Sequence, residues 1–135
     1  MPHAPTLEIR GRIATLCLQR PAAANKITPG DLAVLRQHVQ TVNQSPEVLL
    51  LVLRSTGKHF CAGYDIAEVG GSQAEGQGFG EMVDAIENCR AVTVAVVQGA
   101  CMAAPPTWCW RAIFAWAPTR WRCSCQRPVW VCTIT

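Results

Sequence analysis

Residues 100–135 contain no aspartate, glutamate, lysine or histidine. The stretch therefore lacks a carboxylate for acid–base work, a histidine to ligate zinc and the opposed charges of a salt-bridged helix face. Its charge comes from four arginines, Arg111, Arg120, Arg122 and Arg127, scattered among tryptophans. The first 99 residues carry eight basic and nine acidic side chains, so the net charge of +3 is a property of the tail alone. A nucleic-acid-binding face needs a clustered basic stripe, which these arginines do not form, and no nucleic-acid partner is expected.

Long apolar runs are also missing. The stretches at Val48–Leu53 and Ala91–Val97 fall far short of the roughly 20 residues that a bilayer span requires, so no membrane partner is expected. Met1–Arg12 has no apolar core of the kind found in a secretory signal, and the expected location is the cytoplasm, where disulfides are not expected. No internal repeat is present. The glycine-rich stretch Gly70–Gly80 is not followed by the Lys-Ser/Thr of a phosphate-binding loop and reads as a flexible lid or surface loop.

What is present divides at Gly99–Ala100. All five tryptophans and five of the eight cysteines (Cys101, Cys109, Cys123, Cys125, Cys132) lie beyond that point. No helical or strand periodicity survives there. The cysteines lack Cys-x-x-Cys spacing, so no metal site is expected. A different class of function, a noncatalytic interaction or metal-binding module built on this Cys/Trp tail, would be marked by retained zinc. At 135 residues the chain has room for one domain.

Before Gly99 the pattern is regular. Leu7–Arg10 and Ile13–Leu18 flank Gly11 and read as a hairpin. Thr28-Pro29-Gly30-Asp31 is a helix start, with a capping threonine, a proline suited to the first turn and an acid facing the helix dipole. Leu32, Leu35, Val39 and Val42 then share one helical face, and Ser45-Pro46 ends the segment. Val48–Leu53 reads as a strand buried on both faces. Lys58–Ile66 is a loop. Phe79, Met82, Val83 and Ile86 mark a second helix with Glu81, Asp84 and Glu87 on its wet side, and Ala91–Val97 is a further buried strand. Alternating strands and helices imply an α/β layer architecture.

Several of these segments carry motifs. They are Leu18-Gln19-Arg20-Pro21 with Ala24-Asn25, the apolar strand at Val48, the Phe-x-Ala-Gly-x-Asp loop at Phe60–Asp65, and Val94–Gly99. In this order and spacing, over about the first hundred residues, the chain resembles the crotonase family of enoyl-CoA hydratases and isomerases. The resemblance implies an α/β fold of the ClpP/crotonase type, a ββα spiral core, here incomplete. It implies an acyl-CoA thioester as substrate, no separate cofactor, and a homotrimer or hexamer for the intact enzyme. Family members are considerably longer, so partial folding or poor solubility is expected of this chain.

The chemistry explains the motif. A thioester enolate needs two fixed hydrogen-bond donors at its oxygen, and backbone amides serve because they are already oriented. The resemblance implies that one donor is the backbone N–H of Tyr64 and that the Ala62 carbonyl meets the CoA adenine. It also assigns Ala24, Lys26, Asp65 and Ile66 to substrate binding. From the residues alone, Asp65 reads as a carboxylate that fixes loop backbone, and His59 with Cys61 reads as loop packing because no third group orients such a pair. The second donor maps to Ala104, where Ala103-Ala104-Pro105-Pro106 stands in place of a Gly-Gly pair opening a helix. The family's carboxylates map to Thr107 and Arg127, so general acid–base chemistry is lost in the chain as written.

A shifted reading frame accounts for the tail. When each codon is rebuilt from the last base of one residue and the first two of the next, several results are forced by the genetic code. Met102–Ala103 yields glycine at position 103, Trp108–Cys109 valine at 109, Cys109–Trp110 leucine at 110, and Trp116–Ala117 glycine at 117. Position 104 admits glycine and 107 admits aspartate. One permitted reading from Gly99 is G-A-L-Y-G-G-A-T-D-L-V-L-A-C-D-F-R-V-G, which resembles the family's Gly-Gly loop, acidic position and following strand. The opposite shift turns every tryptophan codon into glycine and yields no such pattern. The expectation is one base missing near the codon for Ala100, with residues 100–135 a non-native tail. Position 127 becomes alanine or threonine if Arg127 uses a CGN codon, leaving one carboxylate, as suits an isomerase better than a hydratase.

Overall fold

The computed structural model describes residues 3–65, 73–98, 114–117 and 131–133. Its elements are β1 (Thr6–Arg10), β2 (Ile13–Leu18), a one-turn 3-10 helix (Pro21–Ala23), α1 (Pro29–Gln44), β3 (Leu50–Ser55), α2 (Gln73–Glu87), β4 (Val92–Val96), β5 (Phe114–Ala117) and β6 (Val131–Thr133). They form a six-stranded sheet in which spatial order equals sequence order, β1 to β6. The β1–β2 pair is antiparallel and every later pair is parallel.

The hairpin arises as its sequence requires. Arg10 pairs with Ile13 across a two-residue turn, and Gly11 takes φ +58°, the region that primed hairpin turns reserve for glycine. Parallel pairing cannot be closed by a tight turn, so α1 carries the chain from β2 to β3 and α2 from β3 to β4. α1 starts at Pro29, with the Thr28 backbone N–H and hydroxyl donating to the Asp31 carboxylate at 2.9 and 2.8 Å. Its stripe Leu32, Leu35, Val39 and Val42 is buried. Met82, Val83 and Ile86 of α2 join it over Ala14, Leu16, Leu18, Leu51, Leu53 and Ala95 of the sheet, forming one core.

Three expectations need correction. β3 runs two residues later than the apolar run, because Val48 is still in the turn where its N–H reaches the Ser45 carbonyl at 3.1 Å. Nor is β3 buried on both faces: Leu51, Leu53 and Ser55 are buried, Leu50 and Val52 only half so, and Arg54 is exposed. Both helices lie on one face, so the strand alternates. The third concerns Gly70–Gly80. From Gln73 onward this stretch is helix α2, not a loop. Glycine costs a helix roughly 1 kcal/mol per residue relative to alanine, but at Gly78 a Cβ would stand 3.4 Å from Leu32 Cδ1. The helices are thus already in contact there, and tertiary packing overrides propensity.

The tail segment read as aperiodic contributes β5 and β6, two short parallel strands continuing from the edge of β4. Backbone pairing along an open strand edge demands little of side-chain pattern, which is why periodicity does not reveal them.

Candidate functional site

In a parallel sheet every strand delivers its carboxyl end to the same pole, and ligands bind there. The segments following β2 and β3 meet at that pole. Residues 19–27 follow β2, and residues 56–65 follow β3. Gln98, after β4, closes the group by donating from Nε2 to the carbonyls of Ser55 and Gly57 at 3.0 and 2.6 Å.

The two loops are joined by a short parallel ladder. Ala62 N–H donates to the Ala24 carbonyl at 2.8 Å, Ile27 N–H to the Gly63 carbonyl at 2.9 Å, and Asp65 N–H to the Ile27 carbonyl at 2.8 Å. Ile27 thus bridges to Tyr64 in parallel fashion, bonding the residues on either side of it. In that geometry the N–H of the bridged residue points away from the partner strand. The Tyr64 amide is therefore directed to the side opposite residues 24–27. Gly63 has φ +98°, which a side chain would strain, and its own N–H meets Cys61 Sγ at 3.3 Å.

Side chains brace this ladder. Lys26 Nζ pairs with Asp65 at 2.5 Å, so Asp65 fixes its loop, as a loop carboxylate after glycine does, and Lys26 enters the site partly neutralised. The Tyr64 ring packs on Phe79 of α2, centroids 5.2 Å apart. Ala62 is exposed and Ala24 half-buried. His59 is half-buried and Cys61 buried. The His59 carbonyl accepts from Ser55 Oγ at 3.3 Å and from Asn25 Nδ2 at 2.8 Å. The structure thus brings together Ala24, Lys26, Ala62, Tyr64 and Asp65. Ile66, Ala104 and Thr107 lie outside the described residues, as do Arg127, Cys101, Cys109, Cys123 and Cys125, while Cys132 lies in β6.

Sequence reasoning missed the buried polar cluster beneath this ladder. Arg20 forks onto Asp31 at 2.6 and 3.3 Å and also donates to the Lys26 carbonyl at 2.9 Å. Asn25, buried, joins Arg20 to Thr56 and His59. The visible signal was the Arg-Pro followed by Asn, but an exposed arginine and an ion-paired one look alike in a sequence. A cavity of about 10 Å3 beside Gln19, Arg20 and Lys26 has room for one water and none for an acyl chain.

Burial pushes the thiols of Cys17 and Cys89 above the ordinary value of 9.0, with Arg54 near Cys17, and Arg90 and the Ala91 and Thr93 hydrogen bonds at Cys89, offsetting part of the rise. Neither thiol is activated as a nucleophile. Among the described residues, no group of three or more His, Cys, Asp or Glu side chains is placed to hold a metal ion. No described helix is long and apolar enough to cross a membrane.

Comparison with known proteins agrees with this architecture. Residues 8–105 match the family described as enoyl-CoA hydratase/isomerase. The chain is 31% identical over 104 residues to the Mycobacterium tuberculosis protein named "Probable enoyl-CoA hydratase EchA14", covering 73% of this chain and 40% of that protein. It is 25% identical over 104 residues to a peroxisomal Δ(3,5)-Δ(2,4)-dienoyl-CoA isomerase of Arabidopsis thaliana, covering 64% of this chain and 37% of the relative. Among solved structures, an enoyl-CoA hydratase from Mycobacterium smegmatis superposes with a TM-score of 0.78 at 28% identity, over 84% of this chain and 47% of that one. The chain spans about two-fifths of the length of these curated relatives and under half that of the solved structure. The match over residues 8–105, with the crotonase-type fold, places this chain in the enoyl-CoA hydratase/isomerase family.

Proposed function

We propose that this chain is the amino-terminal part of an acyl-CoA enzyme that stabilises a thioester enolate, with the Tyr64 backbone N–H as one of two donors to the enolate oxygen. The observation that carries this reading is the parallel bridge between Ile27 and Tyr64, which directs the Tyr64 amide away from residues 24–27. A preorganised amide costs no reorganisation when charge develops on the oxygen. The exposed Ala62 carbonyl, beside it, would meet the adenine of coenzyme A.

The second donor belongs at position 104 and the proton-transferring carboxylate at position 107. Alanine and threonine occupy them. Ala104 precedes Pro105, a sequence context that disfavours the helical opening a second amide donor needs, and a threonine hydroxyl cannot take a proton from the thioester α-carbon. The chain as written therefore lacks proton-transfer chemistry. We attribute this to one base missing near the codon for Ala100. The family match, which ends at residue 105, is in keeping with that position, as is strand β5 at Phe114–Ala117, where the restored frame reads F-R-V-G. With one acid restored, at 107, the chemistry favoured is a double-bond shift. The carboxylate takes a proton from one carbon of the enoyl chain and returns it two carbons away.

The test begins with the coding DNA from the codon for Gln98 to that for Met102. The protein made from the restored frame should isomerise 3-enoyl-CoA, and the 135-residue chain should not. Equal turnover by both proteins, or none by the restored one, would overturn the proposal.

A further inference from the structure

We infer that Asn25 is a positioning residue that sets the aim of the Tyr64 amide. The inference deepens the proposed function and rests on it for its catalytic meaning, though not for its structural content. Asn25 is 1% exposed and holds φ +55°. Its side-chain oxygen accepts the Arg20 N–H at 2.8 Å, and its Nδ2 donates to the Thr56 carbonyl at 2.7 Å and the His59 carbonyl at 2.8 Å. One carboxamide thus ties the exit of β2, the turn after β3 and the entrance of the 60–65 loop.

The backbone around Asn25 completes the hold. Ala24 and Ile27, on either side, take the amides of Ala62 and Asp65. The loop is gripped from its entrance by a side chain and along its length by a ladder. The Gly63 carbonyl belongs to the same planar peptide as the Tyr64 N–H, and Ile27 holds it, so that amide follows the ladder. Moving the His59 anchor tilts the ladder and swings the Tyr64 N–H. An oxyanion donor is useful only within about 2.7–3.1 Å of the oxygen, so a small swing matters.

Asparagine suits the position on three counts. It tolerates the left-handed backbone, it accepts once and it donates twice. Aspartate would keep the Arg20 contact and turn a carboxylate oxygen toward two carbonyls. Glycine would keep the backbone angle and remove all three bonds.

The test uses the full 135-residue chain with Asn25→Gly and Asn25→Asp. Amide hydrogen exchange is followed by NMR at Ala62, Tyr64 and Asp65 and at the β2 and β3 amides. Cinnamoyl-CoA is the probe of the site in the same variants of the restored-frame protein, which supplies both donors, because its absorption moves to longer wavelength when donors polarise the thioester carbonyl. Both variants should exchange at least tenfold faster at Ala62 and Asp65, with β2 and β3 unchanged. They should lose the red shift while the affinity for cinnamoyl-CoA changes less than threefold. Unchanged loop exchange, or a rise of equal size in β2 and β3, would overturn the inference, the second outcome marking Asn25 as a general stabiliser. Loop-selective exchange together with no red shift in the restored-frame parent would uphold the positioning and sink the proposed function instead.

Discussion

Replacing Asp31 with alanine should expose how much of the fold hangs on the polar cluster beneath the site. The carboxylate is buried and receives four donors: the Thr28 amide and hydroxyl, and two Arg20 nitrogens. Losing an acid that caps a helix costs about 1 kcal/mol. Orphaning a fully buried partner charge costs about 3–5 kcal/mol. Arg20 is 22% exposed on its side chain and keeps the Lys26 carbonyl, so about half of that applies. Alanine's better helix propensity returns about 0.5 kcal/mol. The sum is about 2–3 kcal/mol, a large share of a domain stability of about 5–15 kcal/mol. With a urea slope of about 1–3 kcal/mol per molar, circular dichroism should find the midpoint lowered by about 0.7–3 M. Arg20→Met should cost less, because Asp31 retains the Thr28 donors. The double variant should fall short of the sum of the singles by about 1 kcal/mol or more. A loss below about 0.5 kcal/mol for Asp31→Ala, or strict additivity, would refute the reasoning.

Three further outcomes follow from the same geometry. Gly57→Ala should destabilise the chain by about 1–3 kcal/mol, read as a lower urea midpoint, because φ is +82° and the new Cβ would stand 2.6 Å from Pro21 Cβ. Arg36→Ala should shift that midpoint by less than about 0.5 kcal/mol equivalent, since its pair with Glu81 joins α1 and α2 in water, with side chains 41% and 61% exposed. The thiols of Cys17 and Cys89 hold their protons more tightly folded than unfolded. Their contribution is intact below the unfolded thiol value and is lost as pH rises through the raised folded values. Urea midpoints should therefore fall above the ordinary value of 9.0, with Cys17→Ser and Cys89→Ser flattening that fall. Alkylation of both thiols by iodoacetamide should be slow at neutral pH.

Local rules were most legible where one residue type has one job. Thr28-Pro29-Gly30-Asp31 marked the start of α1, and its apolar stripe proved buried without exception. Gly11 marked the hairpin. The Phe60–Asp65 loop was found from its motif, and its residues do gather with Ala24 and Lys26. What stayed hidden was tertiary. The start of α2 is masked by Gly76, Gly78 and Gly80, and the propensity cost is offset by helix packing that brings Gly78 against Leu32. The one-sided burial of β3 depends on where both helices settle, which a run of Leu and Val cannot state. Arg20 and Asp31 lie eleven residues apart and reveal their partnership only when the chain folds back. Asn25 acts across more than thirty residues, beyond the reach of any local pattern.

The sheet grows in sequence order from β1 at one edge to β6 at the other. Each strand finds its neighbour among residues already synthesised, so no early strand must wait for a late one. The pole that carries residues 19–27 and 56–65 can be laid down before residue 100 leaves the ribosome. Translation is slow, about 5–20 residues per second, against helix and hairpin formation in microseconds. An alteration downstream of β4 is therefore felt along one outer edge of the sheet, while the loops gathered by β2, β3 and β4 inherit a geometry that is already set.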